Sequence, residues 1–357
     1  MTAEAERIRL INGDCLEILR AIPDNSIDSA VIDPPYGLGK VPDPRVLLRQ
    51  WLDGEEYAAK GGGFMGQKWD AFVPGPRLWS ELARVLKPGA HAVIFAGQRT
   101  ADVMGIALRL GGFEIRDLGA WQYWSGFPKS LNVGDGRGTA LKPCLEPWLL
   151  ARVPFAGTVA DNVKRWGTGA INIDACRYGY GDPAWPGPQS VEWSSHPGVA
   201  GGGVTGYQGG GGGYSGAETR SDGRWPANVY ACPKPSTAER EAGCEGLKQR
   251  SAGELTGGRA EGSAGLNNPR AGAGRTSSGR GNVHPTVKPI QLIRWLQRLV
   301  TPRDGVTLDT HCGSGTSLIA AHLEGLRAIG CELSPEYCTI ARARLAHWTR
   351  QGVLDLW

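Results

Sequence analysis

The chain has 357 residues, which is enough for one large α/β core together with a second structural unit. Its net charge of +4 at pH 7 permits a polyanionic partner but does not require one. No apolar run reaches membrane length and no cleavable signal is recognisable, so we expect a soluble, cytoplasmic protein. Its eight cysteines contain no Cys-x-x-Cys pair, which argues against a zinc site and a disulfide framework. We therefore expect no bound metal and mostly buried thiols.

Apolar runs predict an alternating series of strands and helices. Helices are expected from about residue 15, over 78–87 with a Pro-Gly stop, over 290–300 and over 317–323. Strands are predicted at 8–11, 29–32, 92–95, 115–121, 145–151, 306–309 and 327–331. Such a series favours an α/β fold with a doubly wound, mostly parallel seven-stranded sheet.

The second predicted strand is followed by Asp33, Pro34, Pro35 and Tyr36, a combination suited to chemistry on an exocyclic amine. The lone pair of such an amine is delocalised into its ring, so an enzyme must hold the amine through hydrogen-bond acceptors. The carboxylate of Asp33 and the carbonyl of Pro34 provide two acceptors. The prolines fix the backbone, and Tyr36 offers a stacking face to an unstacked base. By itself, the tetrapeptide is equally compatible with a strand that enters a proline-rich turn.

A second candidate site follows the strand predicted at 306–309. Asp309 ends this strand, a glycine-rich turn occupies 311–316, and the helix that the turn opens presents free N–H groups. The next strand delivers Glu332 about twenty residues after the glycines, where a carboxylate can bind ribose hydroxyls. A dinucleotide fingerprint would need a third glycine at the position of Leu318, so an NAD enzyme is disfavoured.

With these two motifs in this order, the chain resembles the β class of amino-group DNA methyltransferases, in which the catalytic motif precedes the cofactor motif. The resemblance implies the permuted S-adenosylmethionine methyltransferase fold, S-adenosylmethionine as methyl donor and double-stranded DNA as substrate. An aspartate at position 33 is usual in the adenine-N6 enzymes, whereas serine is usual in the cytosine-N4 enzymes. We therefore expect site-specific N6-adenine methylation by base flipping and direct in-line transfer, with N4-cytosine methylation as the alternative.

The resemblance also implies roles for residues that match the family motifs. The four residues from Asp33 to Tyr36 are the expected catalytic residues. Asp14 lies in a segment that resembles the loop at the cofactor's adenine, although it can also cap the helix that begins beside it. Segment 284–289 resembles the one that meets the methionyl carboxylate of the cofactor. The set expected at the cofactor is Asp14, Cys15, Asp33, Thr286, Lys288, Asp309, His311, Gly313, Ser314, Gly315, Thr316, Ser317 and Glu332.

Segment 156–282 differs from the rest of the chain because it is rich in glycine, arginine and serine. We expect an irregular inserted target-recognition region there, between the catalytic half of the methyltransferase domain, 1–155, and its cofactor-binding half, 283–357. Arginines, amides and aromatic rings suit phosphate contact and groove readout, although they also suit an ordinary surface insertion. The expected DNA-binding residues are Lys129, Arg224, Trp225, Arg270, Arg275 and Arg280.

Three alternatives stay open at this point. Pro143-Cys144 matches the nucleophile pair of cytosine-C5 methyltransferases, but Cys144 enters a predicted strand and is expected to be a structural thiol. The acceptors at Asp33 could also hold an RNA base or an amide. Thr310 and His311 replace the proline and phenylalanine usual in the family, which is compatible with a DNA-binding module that has lost catalysis. The resemblance also leaves room for a homodimer and a partner restriction nuclease.

Overall fold

The computed structural model describes residues 7–39, 42–59, 61, 63, 68–126, 131–179, 182–184, 223–251, 254 and 279–350. Within these residues the named strands form one eight-stranded sheet. In chain order the strands are β1 (Ile8–Asn12), β2 (Ile27–Ile32), β3 (Leu86–Phe95), β4 (Glu114–Gln122), β5 (Leu145–Arg152), β6 (Val229–Ala231), β7 (Val306–Asp309) and β8 (Arg327–Glu332).

The sheet is mostly parallel, as the sequence predicts. Its spatial order is β1-β8-β7-β2-β3-β5-β4-β6, and only β5 runs antiparallel to its neighbours β3 and β4. The parallel pairs β2 with β7 and β1 with β8 join segments from opposite ends of the chain. The carboxyl ends of β2, β7 and β8 therefore meet at one end of the sheet, where doubly wound folds bind their ligands.

Helices pack on both faces of the sheet. Alternate residues of β2 show the two faces, because Ala30 and Ile32 belong to one core cluster with Leu82, whereas Val31 belongs to another with Leu296. The helices are α1 (Cys15–Arg20), α2 (Pro44–Leu52), α3 (Pro76–Val85), α4 (Ala101–Leu110), α5 (Val159–Trp166), α6 (Thr237–Glu241), α7 (Ile290–Val300), α8 (Thr316–Leu323) and α9 (Pro335–Arg350).

Helix α7 anchors the segment that precedes it at the site end of the sheet. Leu292, Leu296 and Leu299 recur at helical spacing and are buried, each worth about 1.5 to 3 kcal/mol relative to exposure. On another side of the helix, Nη2 of Arg298 lies 2.7 Å from a carboxylate oxygen of Glu324 at the end of α8. This packing fixes the position of residues 284–289.

The observed sheet differs from the predicted one at two places. All seven predicted strands are present, but the sheet has an eighth strand, β6, from the segment predicted to be irregular. Tyr230 in β6 packs its ring 5.0 Å from the ring of Trp295, so tertiary packing stabilises a strand too short to show periodicity. Strand β3 begins at Leu86, where a helix end was predicted, and Lys87 Nζ lies 2.5 Å from Asp28 of β2.

The eight cysteines are free thiols and six of them are buried, as expected from the sequence. Burial raises the pKa of Cys176 to about 12, so this thiol stays protonated at neutral pH. In the described part of the chain, no helix combines the length and the apolar character that a membrane span requires.

Candidate active site

The two motifs of the sequence meet at the carboxyl ends of β2 and β7. Asp33 directly follows β2, Asp309 is the last residue of β7, and the two strands pair in parallel. A small cavity lies between them and the glycine-rich turn. Of the residues predicted at the cofactor, those that line this cavity are Asp33, Thr286, Lys288, Asp309, His311, Gly313, Ser314, Thr316 and Ser317.

The glycine-rich turn between β7 and α8 requires both of its glycines. Gly313 has φ +52°, and a Cβ there would lie 2.6 Å from Nε2 of His284. Gly315 has φ +80°, and a Cβ there would lie 2.9 Å from the Cβ of Ala341. Gly315 is also the N-cap of α8 and has no side chain to cap the helix, so the first N–H groups of α8 face the turn uncapped.

Arg344 in α9 donates hydrogen bonds to the glycine-rich turn, a role that the sequence does not reveal. Its side chain is completely buried, and Nη1 donates to the Ser314 carbonyl at 2.8 Å and to Thr316 Oγ1 at 3.1 Å. Burial lowers the pKa of Arg344 to about 10, which leaves the guanidinium charged at neutral pH. One of three arginines in a helix of mixed polarity gives no signal of this contact, which joins residues 30 positions apart.

Glu332, the last residue of β8, contacts the glycine-rich turn. Its Oε2 accepts from the Gly313 N–H at 2.9 Å and its Oε1 accepts from the Ser334 N–H at 2.8 Å. Burial raises the pKa of Glu332, while these backbone hydrogen bonds work in the opposite direction. The carboxylate is therefore held directly beside the glycine-rich turn, where the sequence predicts ribose binding.

Asp14 lies beside Glu332 because β1 pairs with β8, and the Gly13 N–H donates to the Glu332 carbonyl at 3.0 Å. Asp14 caps α1, since its Oδ1 accepts from the N–H of Leu16 at 2.9 Å. The cap is thus observed, and the contact of Asp14 and its neighbour Cys15 with a cofactor stays a prediction.

The carboxylate of Asp33 uses its two oxygens differently. Oδ2 lies 2.5 Å from Nζ of Lys288. Oδ1 is buried and has no hydrogen-bond partner in the described part of the chain. Within the same part of the chain, no group donates to the carbonyl of Pro34. Two adjacent acceptors are therefore available, as the sequence predicts for an enzyme that holds an amine.

Lys288 connects Asp33 to a second carboxylate, that of Glu146 in β5. Its Nζ lies 3.3 Å from Oε2 of Glu146, and the hydroxyl of Tyr36 donates to the same oxygen at 3.1 Å. The family resemblance implies that Lys288 meets the cofactor's carboxylate. In the structure its ammonium contacts Asp33 and Glu146, and the contact with the cofactor stays a prediction. Glu146 was missed, and its only signal is a carboxylate directly before five apolar residues of a strand.

Asp70 holds the backbone of the tetrapeptide in place. This buried carboxylate accepts from the N–H of Tyr36 at 2.7 Å and from the N–H of Gly37 at 3.1 Å. Thr100 Oγ1 donates to the Tyr36 carbonyl at 2.6 Å. These bonds fix the turn after Pro35 on both sides, and nothing in the sequence around Asp70 predicts them.

The electrostatics of the site favour the charged forms of Lys288 and Glu146 and work against the charge of the two aspartates, Asp33 and Asp309. Burial raises the pKa of Asp33, and the nearby charge of Lys288 acts against that rise. Burial also disfavours ionised Glu146, but Lys288 and Lys234 outweigh it and hold the pKa of Glu146 below its usual value. Burial raises the pKa of Asp309 to about 7.

A larger cleft of about 440 Å³ opens on the other side of Asp33 and shares Thr286 and Lys288 with the small cavity. Its volume lies in the range of ligand pockets. Its aromatic lining residues are Tyr36, Trp69, Trp121 and Tyr123. The cleft therefore offers aromatic stacking faces next to Asp33 and Pro34, whose acceptors are available in the described part of the chain.

Predicted DNA-binding residues lie away from this cleft where the structure describes them. Trp225 is exposed, and the guanidinium of Arg177 lies 5.3 Å from its ring. Arg224 and Arg280 form isolated backbone bridges and line neither cavity. Lys129, Arg270 and Arg275 lie outside the described residues.

Cys144 does not reach the cleft, although its neighbours Pro143 and Leu145 line it. Its carbonyl accepts from the N–H of Tyr123 at 2.8 Å, as expected of a residue entering β5. The position favours the structural interpretation of Cys144 over a covalent nucleophile.

S-adenosylmethionine fits the groups around the small cavity. Uncapped N–H groups of α8 and the carboxylate of Glu332 suit its polar ends, and His311 replaces the usual phenylalanine. Burial lowers the pKa of His311 to about 4, so its imidazole is neutral at pH 7 and adds no positive charge beside a sulfonium. A fold of this kind, with a cofactor cavity that opens onto an amine-holding cleft, is that of a methyltransferase for exocyclic amines.

Comparison with known proteins supports this class. Residues 193–343 match the family model N6_N4_Mtase, described as DNA methylase. The chain is 37% identical to the type II methyltransferase M.ScaI of Streptomyces caespitosus over 342 residues, which cover 96% of this chain and 82% of that protein. The chain belongs to the N6/N4 amino-group DNA methyltransferases, which use S-adenosylmethionine as methyl donor.

One solved structure shares the fold, and a second is similar over most of its length. The cytosine-N4-specific PvuII DNA methyltransferase has a TM-score of 0.52 at 15% identity, with 95% of this chain and 86% of that chain covered. The M1.HpyAVI complex with S-adenosylmethionine has a TM-score of 0.46 at 15% identity, with 95% and 98% covered.

Proposed function

We propose that this methyltransferase transfers a methyl group to the N6 amine of adenine in double-stranded DNA. The observation that carries the proposal is Oδ1 of Asp33, which is buried and has no hydrogen-bond partner in the described part of the chain, while Asp33 and Pro34 both line the aromatic cleft. An amine seated there donates both hydrogens and directs its lone pair toward the small cavity. The adenine base reaches this cleft by leaving the DNA stack.

The residues of the chain position and desolvate the reactants. Tyr36 stacks on the base, while Asp33 and the Pro34 carbonyl fix the orientation of its amine. S-adenosylmethionine supplies an electrophilic methyl group on its sulfonium. As the amine forms its new bond it gains positive charge, and the carboxylate of Asp33 stabilises that charge more strongly than it stabilises the neutral amine. The amine loses its proton after the transfer, because a carboxylate is too weak a base to remove it first.

N4-cytosine is the second candidate product, because the acceptors at Asp33 and Pro34 can hold either amine. The cytosine-N4-specific PvuII DNA methyltransferase shares this fold. The aspartate at position 33 supports adenine, since the adenine enzymes of the family usually carry it.

Mass spectrometry of nucleosides from DNA treated with enzyme and labelled S-adenosylmethionine tests the product. We expect label in N6-methyladenine. Label in N4-methylcytosine alone would overturn the adenine assignment and keep the mechanism, whereas label in 5-methylcytosine would overturn both. Single-molecule sequencing of DNA from cells that express the protein would report the methylated sequence.

We further propose that segment 156–282 selects the DNA sequence, supported by Arg224 and Arg280, which line neither the small cavity nor the cleft. Replacing Arg224 and Arg280 by glutamine should weaken DNA binding and flatten its salt dependence while S-adenosylmethionine affinity stays unchanged. A variant with unchanged salt dependence would argue against this role.

The type II relative M.ScaI supports a restriction-modification setting with a partner nuclease. Native mass spectrometry would test for a homodimer.

A further inference from the structure

Glu146 is a carboxylate at the cleft end of a buried strand. It is the second residue of β5, opposite Trp121 of β4, and its side chain is 19% exposed. Five of the six residues that follow it in β5 are buried. A buried carboxylate costs free energy unless charged or hydrogen-bonding partners compensate it, so its partners indicate its role.

Both oxygens of Glu146 face other groups. Oε2 accepts from the Tyr36 hydroxyl at 3.1 Å and lies 3.3 Å from Nζ of Lys288. Oε1 lies 3.9 Å from Nζ of Lys234 at the rim of the cleft. Protein groups therefore engage both oxygens of Glu146, whereas Oδ1 of Asp33 has no hydrogen-bond partner among the residues that the structure describes.

The ammonium of Lys288 is shared between the two carboxylates. It lies 2.5 Å from Oδ2 of Asp33 and is 6% exposed, so water cannot compete for its hydrogens. Sharing leaves Asp33 less neutralised than in an exclusive ion pair, and it fixes which of its two oxygens turns toward Lys288. Oδ1 of Asp33, a residue that lines the cleft, then stays without a hydrogen-bond partner among the described residues.

We propose that Glu146 is a positioning residue for methyl transfer, which holds Lys288 and Tyr36 so that Asp33 presents Oδ1 to the target amine. The inference rests on the proposed function of the Asp33 site. Glu146 acts through these two neighbours, Lys288 and Tyr36. Its loss should therefore lower kcat without lowering the affinity for S-adenosylmethionine.

The charge of Glu146 also sets the pH range of the reaction. Asp33 faces Lys288 of segment 284–289, Glu146 of β5, Tyr36 of its own loop and Asp309 of β7. Burial and the charge of Glu146 raise the pKa of Asp33, whereas Lys288 lowers it. Removing the charge at position 146 lowers the pKa of Asp33, so the acid limb of the pH–rate profile moves to lower pH.

The test compares Glu146→Gln with Glu146→Asp, and uses Glu114→Gln as a matched control. Glu114 lies at the far end of the neighbouring strand β4 and pairs with Arg152 at 2.6 Å, away from the cleft. Single-turnover rates with duplex DNA and labelled cofactor are measured over a range of pH, and cofactor affinity is measured by calorimetry.

We expect Glu146→Gln to lower the rate about 10- to 100-fold, the scale of a small misplacement in an active site. Its acid limb should move to lower pH, with unchanged cofactor affinity. Glu146→Asp keeps the charge but is one methylene shorter, so it should lower the rate and leave the acid limb in place. Glu114→Gln should behave as wild type.

A wild-type rate and pH profile in Glu146→Gln would overturn the proposal, as would a loss of cofactor binding equal to the loss of rate. If Glu146→Gln does not fold by circular dichroism, Glu146→Asp decides, and a wild-type rate there overturns the proposal. Failure of the proposed function looks different, because the wild-type enzyme itself would then transfer no label to DNA.

Discussion

Replacing Asp33 by asparagine should damage catalysis at least as much as removing the side chain. Lys288 Nζ lies 2.5 Å from Oδ2, so it requires an acceptor at that position. The amide oxygen of asparagine must take that place, which puts the NH2 group where Oδ1 stood. A donor then faces the hydrogens of the target amine.

The magnitude follows from the lost acceptor. A preorganised hydrogen bond to a group that gains charge in the transition state contributes about 3 to 4 kcal/mol, or roughly 10²- to 10³-fold in rate. The NH2 group of asparagine, which faces the hydrogens of the target amine, adds repulsion to that loss. We therefore expect Asp33→Asn to be at or below the rate of Asp33→Ala, which leaves only an absent acceptor.

Single-turnover transfer of labelled methyl groups to duplex DNA measures this loss. Cofactor affinity, measured by calorimetry, should stay within about tenfold of wild type, because the main partner of Asp33 is the amine. Asp102→Asn, on the exposed side of α4, is the matched control. An Asp33→Asn rate within tenfold of wild type would refute the reasoning.

Three further predictions concern the supporting residues. Glu332→Ala should weaken S-adenosylmethionine binding by about 1 to 3 kcal/mol in calorimetry, and unchanged affinity would contradict its ribose role. Asp70→Ala leaves buried N–H groups of the tetrapeptide unpaired, so urea titration should show a loss of about 2 to 4 kcal/mol in unfolding free energy. A loss near zero would show that water replaces the carboxylate. Folded Asp309, with a pKa of about 7, binds its proton more tightly than the unfolded chain does, and this stabilisation is lost as pH rises through 7. Asp309→Asn should therefore become more stable relative to wild type between about pH 4 and 8, and parallel pH curves in thermal denaturation would exclude this.

The sequence predicts those strands and turns whose signal lies in residues close together in the chain. Continuous apolar runs identify seven strands. The glycines after β7 identify the cofactor turn, because the backbone of that turn has a positive φ at Gly313 and Gly315, which glycine adopts readily. Strand β6 escapes detection because three residues carry no period, and its stability comes from contacts with β4 and with Trp295.

The missing site residues are those that act over long distances. Glu146, Asp70 and Arg344 contact partners that lie 110, 34 and 30 positions away. Their side chains follow no motif, since tertiary structure alone brings their partners into place. Lys288 was found by its motif, but the partners of its ammonium could only come from the structure.

The contact between Asp33 and Lys288 spans 255 positions of the chain, and this distance governs when the protein acquires its site during synthesis. At 5 to 20 residues per second, about 10 to 50 s separate the emergence of the two residues from the ribosome. During that time β2 lacks its neighbour β7 and Asp33 lacks its ammonium. A nascent chain that ends before residue 284 thus carries the whole catalytic tetrapeptide without an assembled centre, and interrupted translation yields inert fragments.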